Sequence, residues 1–561
     1  MSADDFATTF ALLIAAHFCL PLVTFGLPAL LLFPVLSDAA RWRRTTVRPE
    51  DWPSLVHGVQ HSADLTESRS YYMARVLSDG SPLIVPRRVF SEHAHFLGDS
   101  GTGKTSLGLA PWIEQTVAFG DCSLVVVDLK ADSLELLATL QNAVESVRTR
   151  TGRRIPIKYF TNQSQLSTYA FNPLTQPYRS SFDPYIKTDI LCAAAGLLYG
   201  TDYGAGWYSA ANAAVLHYAI KNFPDARSFL ELAERVKHTL MSAKKRELHP
   251  ELRAAGVHVL AILDRLGAFD ALNVAPGTGH PEDVLEHAIN LRDLFRRPQI
   301  LYFHLSSTLA AGSSPEIARL LVYSILCAST QTDRRRQVFL VIDEFQRMVA
   351  RNVEYMLQLA RSMGVGIILA NQSMQDLGTL IPAIEANCRY RQWFSVSSLD
   401  DRQRLADGSG ETVELLTSIS RGWNSNGRTS STTVTEHVMS RLSRNDIALA
   451  SDHPLRSIVT ISRGSGFAQY GGLPVIVESN YHIPAAEYER RKGMPWPEPA
   501  TGTFVPKEHC LNAETKREAP RPGPILTTEV IGDFTPGGLL PFPMPGQTPK
   551  PQRPPRPRRD E

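Results

Sequence analysis

The stretch GDSGTGKTS, Gly98 to Ser106, decides the fold. The apolar lead-in AHFL (94–97) reads as a short strand, and SLGLAPWIEQTVA (106–118) reads as a helix. Gly98, Gly103, Lys104 and Thr105 fill the fixed positions of GxxxxGK[ST]. In that pattern the glycines let the backbone curl until several N–H groups point inward at phosphates. The lysine reaches the β and γ phosphates, and the threonine hydroxyl meets Mg²⁺. The dipole of the following helix adds to the pull on the anion. The run Gly98, Asp99, Ser100, Gly101, Thr102, Gly103, Lys104, Thr105 and Ser106 is therefore the expected ATP cradle, with Thr105 on the metal. A plain flexible turn does not need the lysine–threonine pair.

A phosphate loop alone does not separate a motor from a kinase or a switch, so the second element matters. VFLVIDEF (338–345) is an apolar strand ending in two acids. The carboxyl end of a buried strand is where such sheets bind ligands. Asp343 is expected to complete the Mg²⁺ shell, and Glu344 to polarise the attacking water as general base. In ARSMGVGIILANQS (360–373) a third strand ends at Asn371-Gln372. Gln372 is expected to sense the γ phosphate and the water. Arg361, ahead of that strand, is read as an arginine finger reaching across a subunit boundary. Asp128, Lys130 and Asp132 in VVVDLKAD (125–132) are candidates for the same cleft. His93 and His95 alternate on the strand entering the loop, where ordinary packing explains them better than a metal.

Around these motifs the chain alternates short apolar runs with helical stretches. LVVVD (124–128), ILYFHL (300–305), VFLVID (338–343), GIILA (366–370), RQWFSV (391–396) and SIVTIS (457–462) are nearly continuous in apolarity. Strands look like that when a parallel sheet is covered on both faces. SYYMARVLSDGSPLIVP (70–86) reads as two strands around a turn at Ser78-Asp79-Gly80. Between 176 and 296 the strand signal vanishes, and Phe229, Leu232, Val236 and Leu240 recur as one stripe of a helix. The expected fold class is α/β: a RecA-like P-loop domain with a mostly parallel sheet. The expected order is an anchor (1–44), the first part of the nucleotide domain (45–175), an all-α insertion (176–296), the second part (297–492) and a disordered proline-rich tail (493–561).

The bulk numbers agree with a large globular body. Of 561 residues, 43% are hydrophobic and 20% charged, and the net charge of +2 neither demands nor excludes nucleic acid. The six cysteines form no CxxC pair, which argues against a disulfide framework or a zinc site. The amino terminus is different. Phe6 to Leu36 holds no Asp, Glu, Lys or Arg, long for one membrane span and short for two. Asp4 and Asp5 precede it and Arg41, Arg43 and Arg44 follow, which places the remaining chain on the cytoplasmic side. SRGWNSNGRTSS (420–431), with Arg421 and Arg428, is a candidate exposed segment for gripping DNA.

Together these pieces resemble the type IV coupling proteins of the TraG/TraD kind, motors of the HerA–FtsK superfamily. The resemblance rests on the apolar start, HFLGDSGTGKTS, VVVDLKAD, AFNPLTQPY (170–178), FLVIDEF and ARSMGVGIILANQS. It extends through NCRYRQWFSVSSLDDRQRLA (387–406) and RLSRNDIALASDHPLRSIVTISRGSGFAQYGGLPVIVES (441–479). It implies a homo-hexameric ring at the bacterial inner membrane that hydrolyses ATP with Mg²⁺. Its implied partners are a relaxase complex with single-stranded DNA and the proteins of a type IV secretion channel. It supports Lys104 and Thr105, Asp343 and Glu344, Gln372 and Arg361 in the roles given. An exporter of protein effectors and a nucleotide-gated scaffold are the rival readings. Two departures stand out: one apolar run replaces the two spans of many relatives, and DLKAD lacks their Gly-Glu after the lysine.

Overall fold

The structure is a computed structural model, and it describes residues 52–198, 203–242, 250–350, 353–424, 427–462 and 472–506. The apolar run 6–36 and the tail beyond 506 lie outside them. Among the described residues no helix is long and apolar enough to cross a membrane.

Fifteen strands are named in chain order: β1 (Ser70–Val76), β2 (Pro82–Pro86), β3 (Ala94–Leu97), β4 (Ser123–Asp128), β5 (Ile157–Thr161), β6 (Thr168–Tyr169), β7 (Ile300–His304), β8 (Val338–Asp343), β9 (Val365–Asn371), β10 (Tyr390–Trp393), β11 (Glu411–Asn424), β12 (Gly427–Ser440), β13 (Arg456–Ile461), β14 (Val475–Glu478) and β15 (Thr503–Phe504). An 11-stranded sheet runs β2-β1-β14-β13-β10-β3-β9-β8-β4-β7-β5. From β10 to β5 every pairing is parallel, and from β10 back to β2 every pairing is antiparallel. The expected apolar runs are strands of this sheet, and β4, β8 and β9 are buried at every position. Helices cover the parallel part, which is why Val, Ile and Leu run without polar alternation. Gly366 in β9 is a packing constraint, because a Cβ there would come within 2.8 Å of the Phe90 carbonyl oxygen.

Between β6 and β7 the chain is helical: Pro184–Ala194, Tyr203–Asn222, Phe229–Ser242 and Pro250–Gly267 are the long elements. Phe229, Leu232 and Val236 are buried, as their spacing requires. The FNPLTQ segment ties these helices to the sheet. Asn172 donates to the carbonyls of Arg227 (2.7 Å) and Val274 (3.0 Å) and accepts from the Leu174 amide. Gln176 donates to the Ile289 carbonyl and accepts from the Leu291 amide. Each amide thus satisfies backbone groups that burial would otherwise strand.

Two features depart from the sequence-based expectation. SRGWNSNGRTSS lies within a long ribbon, because among the described residues β11 and β12 pair only with each other, over 14 residues each. Residues 493–506, expected to open a disordered tail, instead form a strap on the β5 edge. The Trp496 indole donates to the Ser167 carbonyl (2.8 Å), and the Ser167 hydroxyl donates to the Pro497 carbonyl. The Tyr159 hydroxyl donates to the Glu498 carbonyl, and β15 pairs antiparallel with β6. Prolines leave carbonyls free to accept, and one indole edge-on to Tyr159 at 5.4 Å supplies the apolar anchor. This needs no helical or strand periodicity.

Candidate nucleotide site

Strand order builds the site. β9 lies between β3 and β8, so the carboxyl end of β9 stands between the phosphate loop and the acid pair. β4 and β8 pair in register, Asp128 opposite Asp343, which brings two carboxylates to the same level. A cleft of about 240 Å³ opens there, and Asp99, Ser100, Gly101, Gly103, Lys104, Thr105 and Ser106 form one wall. Asp128, Lys130, Asp132, Asp343 and Glu344 face it. The lysine–threonine pair and the aspartate–glutamate pair therefore share one crevice.

Gly98 and Thr102 shape the loop without lining the cleft. A Cβ on Gly98 would meet Phe394 Cβ at 3.0 Å and Ser395 N at 3.1 Å. The Thr102 hydroxyl donates to the Asp99 carbonyl (2.7 Å), and the Asp99 carboxylate accepts from the Ser397 amide (3.1 Å) and hydroxyl. Gly103 has φ +91°, and a Cβ there would strike Leu107 Cδ1 at 2.7 Å. The Lys104 ammonium folds back to donate to the Gly98 carbonyl at 2.7 Å. Burial pulls its pKa down, against the pull of Glu344 and Asp343.

At the end of β8, burial pushes the Asp343 carboxyl up to about 7, and the charges of Asp128 and Glu344 add to the rise. Asp128 is also raised by burial, although it accepts from the Lys130 and Ala131 amides and the Tyr302 hydroxyl. Buried acids crowded in this way call for a cation, and Thr105 offers its hydroxyl in the same cleft. The residues present fit Mg²⁺ held by Thr105 and Asp343. Glu344 follows in the left-handed region (φ +56°), a backbone strain typical of functional sites. Its carboxylate accepts from Gln372 Nε2 (2.9 Å) and Gln346 Nε2 (2.5 Å).

Arg361 sits elsewhere. It precedes β9, at the end of the sheet opposite the cleft, half-exposed and paired with Glu92 at 3.1 Å. Glu92 also holds Arg389. Within one chain, then, Lys104, Thr105, Asp343, Glu344 and Gln372 come together and Arg361 does not. His93 and His95 are packing residues: His93 accepts from the Ile367 amide and donates to the Leu357 carbonyl, and His95 bonds Asn371. Tyr488 and Lys492, on the helix Ala485–Lys492, also line the cleft. No motif in AAEYERRK announced them.

Residues 337–447 match the family described as the TraM recognition site of TraD and TraG. No curated protein matches the chain. Among solved structures, the bacterial conjugative coupling protein TrwBdeltaN70 in its unbound monoclinic form aligns at 15% identity. That alignment covers 77% of this chain and 92% of the other, with a TM-score of 0.50. The plasmid coupling protein TrwB in complex with the non-hydrolysable GTP analogue GDPNP aligns at 14% identity. It covers 79% and 94% with a TM-score of 0.50. At these identities the two structures establish a common fold, the mixed α/β architecture with a large, mostly parallel sheet. Over residues 337–447, then, the chain is similar to that TraD and TraG family, and the segment is set in a fold shared with the coupling-protein structures.

Proposed function

We propose that the chain is a membrane-anchored ATPase that recruits a relaxase–single-stranded DNA complex and drives it into a type IV secretion channel. The observation that carries this reading is the meeting of Lys104 and Thr105 with Asp343 and Glu344 in one cleft, with Gln372 hydrogen-bonded to Glu344. Lys104 would leave the Gly98 carbonyl for the β and γ phosphates. Thr105 and Asp343 would hold Mg²⁺, which when bound supplies charge neutralisation at the phosphate oxygens. Glu344 would take the proton of the attacking water, and Gln372 fixes its carboxylate. Arg361, remote from its own cleft, fits a finger that acts on the next subunit of a homo-hexameric ring.

The cargo reading rests on the β11–β12 ribbon and on the family. Residues 417–433 hold two arginines and no acid, and Trp423 at the ribbon's far end is 83% exposed. An exposed ring beside Arg421 suits stacking and backbone contact with single-stranded DNA. The apolar residues nearer the base, Val413, Leu415, Val434 and Val438, fall on one face of the ribbon and suit a protein partner. A TraM-like protein is the partner class that the family match brings in. The apolar run 6–36 would hold the assembly in the inner membrane.

ATP turnover of the purified full chain, with and without single-stranded DNA, tests the reading. Turnover raised by DNA supports a DNA pump. DNA-independent turnover favours the export of protein effectors, and absence of turnover favours a nucleotide-gated scaffold.

A further inference from the structure

The phosphate loop accounts for one end of a nucleotide. The base needs something different, an apolar or aromatic surface, and the cleft has little to offer. Its walls are glycines, hydroxyls, acids and lysines, and among the described residues the apolar or aromatic side chains lining it are Leu136 and Tyr488. Leu136 belongs to the helix Glu135–Thr151 that follows β4. Tyr488 belongs to the helix Ala485–Lys492, far along the chain. The Tyr488 ring is half-buried, and its hydroxyl is hydrogen-bonded to the Glu135 carboxyl.

Tyr488 does not reach the cleft by accident of a loose end. Arg491, three residues on and 5% exposed, locks the helix in place. Its guanidinium donates to Glu487 (2.8 Å) on its own helix and to Glu114 (3.3 Å) on the helix Ala110–Phe119 behind the phosphate loop. It also donates to Thr139 (3.4 Å) on the helix Glu135–Thr151. One desolvated arginine thus ties the C-terminal helix to the two helices that flank the cleft. Downstream, the strap 493–506 holds the same segment to the sheet edge through Trp496.

We infer that Tyr488, with Leu136 beside it, is the nucleobase platform of the site, so that the C-terminal helix completes nucleotide binding. The inference rests on reading the cleft as a nucleotide site. Stacking on an aromatic ring tolerates any base, so ATP and GTP would both use it.

The test measures binding of ATP, GTP and inorganic tripolyphosphate to the full chain. Tyr488→Ala is expected to weaken ATP and GTP by about tenfold or more and to leave tripolyphosphate unchanged. Tyr488→Leu, which fills the same helix face without a ring, should behave likewise. Tyr488→Phe keeps the ring and should bind as wild type. Unchanged ATP affinity in Tyr488→Ala and Tyr488→Leu overturns the platform, and so does an equal loss for tripolyphosphate. Lys104→Ala separates the two levels of inference: it should lose tripolyphosphate and ATP alike. If it binds both normally, the nucleotide site itself is wrong.

Discussion

Gln372 Nε2 donates to both carboxylate oxygens of Glu344, at 2.9 and 3.3 Å, across the junction of β9 and β8. The glutamate is 4% exposed, and its carboxylate is held from two sides, by Gln372 and by Gln346 Nε2 at 2.5 Å. Gln372→Ala should leave nucleotide affinity within about twofold and lower ATP turnover about tenfold, because the base then keeps only the Gln346 contact to orient it. Single-turnover and binding assays on the same sample check this. Equal losses in both would mean that Gln372 serves binding instead.

The ribbon tip should matter to DNA and not to the fold. Arg421 and Trp423 are exposed, and among the described residues the strands that carry them pair only with each other. Replacing both by alanine should weaken single-stranded DNA binding about tenfold or more at physiological salt, with basal ATP turnover unchanged. Fluorescence anisotropy with a labelled oligonucleotide reads the effect. Unchanged affinity would move the DNA contact away from this ribbon.

The strap should open when its indole is removed. Trp496→Ala loses a hydrogen bond to the Ser167 carbonyl and contacts with Tyr159 and His304, a cost of about 2 kcal/mol. Cleavage within 493–506 by a nonspecific protease should then accelerate roughly thirtyfold under native conditions. A protease-resistant strap in the variant would show that β15 pairing alone holds it.

Three buried histidines make the fold acid-sensitive. Burial pushes His93 and His95 down to about 4 and His482 to about 3. His93 already uses one ring nitrogen as acceptor and the other as donor, so the neutral ring is required. Below pH 6.5 the unfolded chain takes up protons that the folded chain refuses. Stability is therefore complete above about 6.5 and is lost as pH falls toward the folded values. At pH 5.5 each group costs about 1.4 kcal/mol, roughly 4 kcal/mol for the three. Urea unfolding at pH 7.5 and 5.5 reads this loss, and His95→Gln should reduce it. Asp343 and Glu135, pushed up to about 7 by burial, take up protons in the folded chain over the same interval and oppose the loss, so the decisive reading is the difference between variants: an unchanged pH dependence in His95→Gln would mean that this ring accepts a proton when folded.

The motif-bearing strands were legible because burial on both faces leaves a strong residue signature. LVVVD and VFLVID correspond to β4 and β8 almost to the residue, and the acids at their ends follow from sheet geometry. Gln372 was legible for the same reason. The ribbon was not, because both its faces meet water and its Ser- and Thr-rich tip reads as loop, although Asn426-Gly427 is a hairpin dipeptide. The strap hid behind prolines, since it is held by carbonyls that any sequence carries. Tyr488 left no trace either: AAEYERRK is an ordinary charged helix, and only Arg491 and its distant partner Glu114 turn that helix toward the cleft.

The central claim is that one crevice binds and splits a nucleoside triphosphate. The most direct measurement is ATP hydrolysis and ATP binding by Glu344→Gln beside wild type, in matched preparations with Mg²⁺. The prediction is a loss of turnover of about a hundredfold or more with ATP affinity retained. Wild-type turnover in that variant would contradict it.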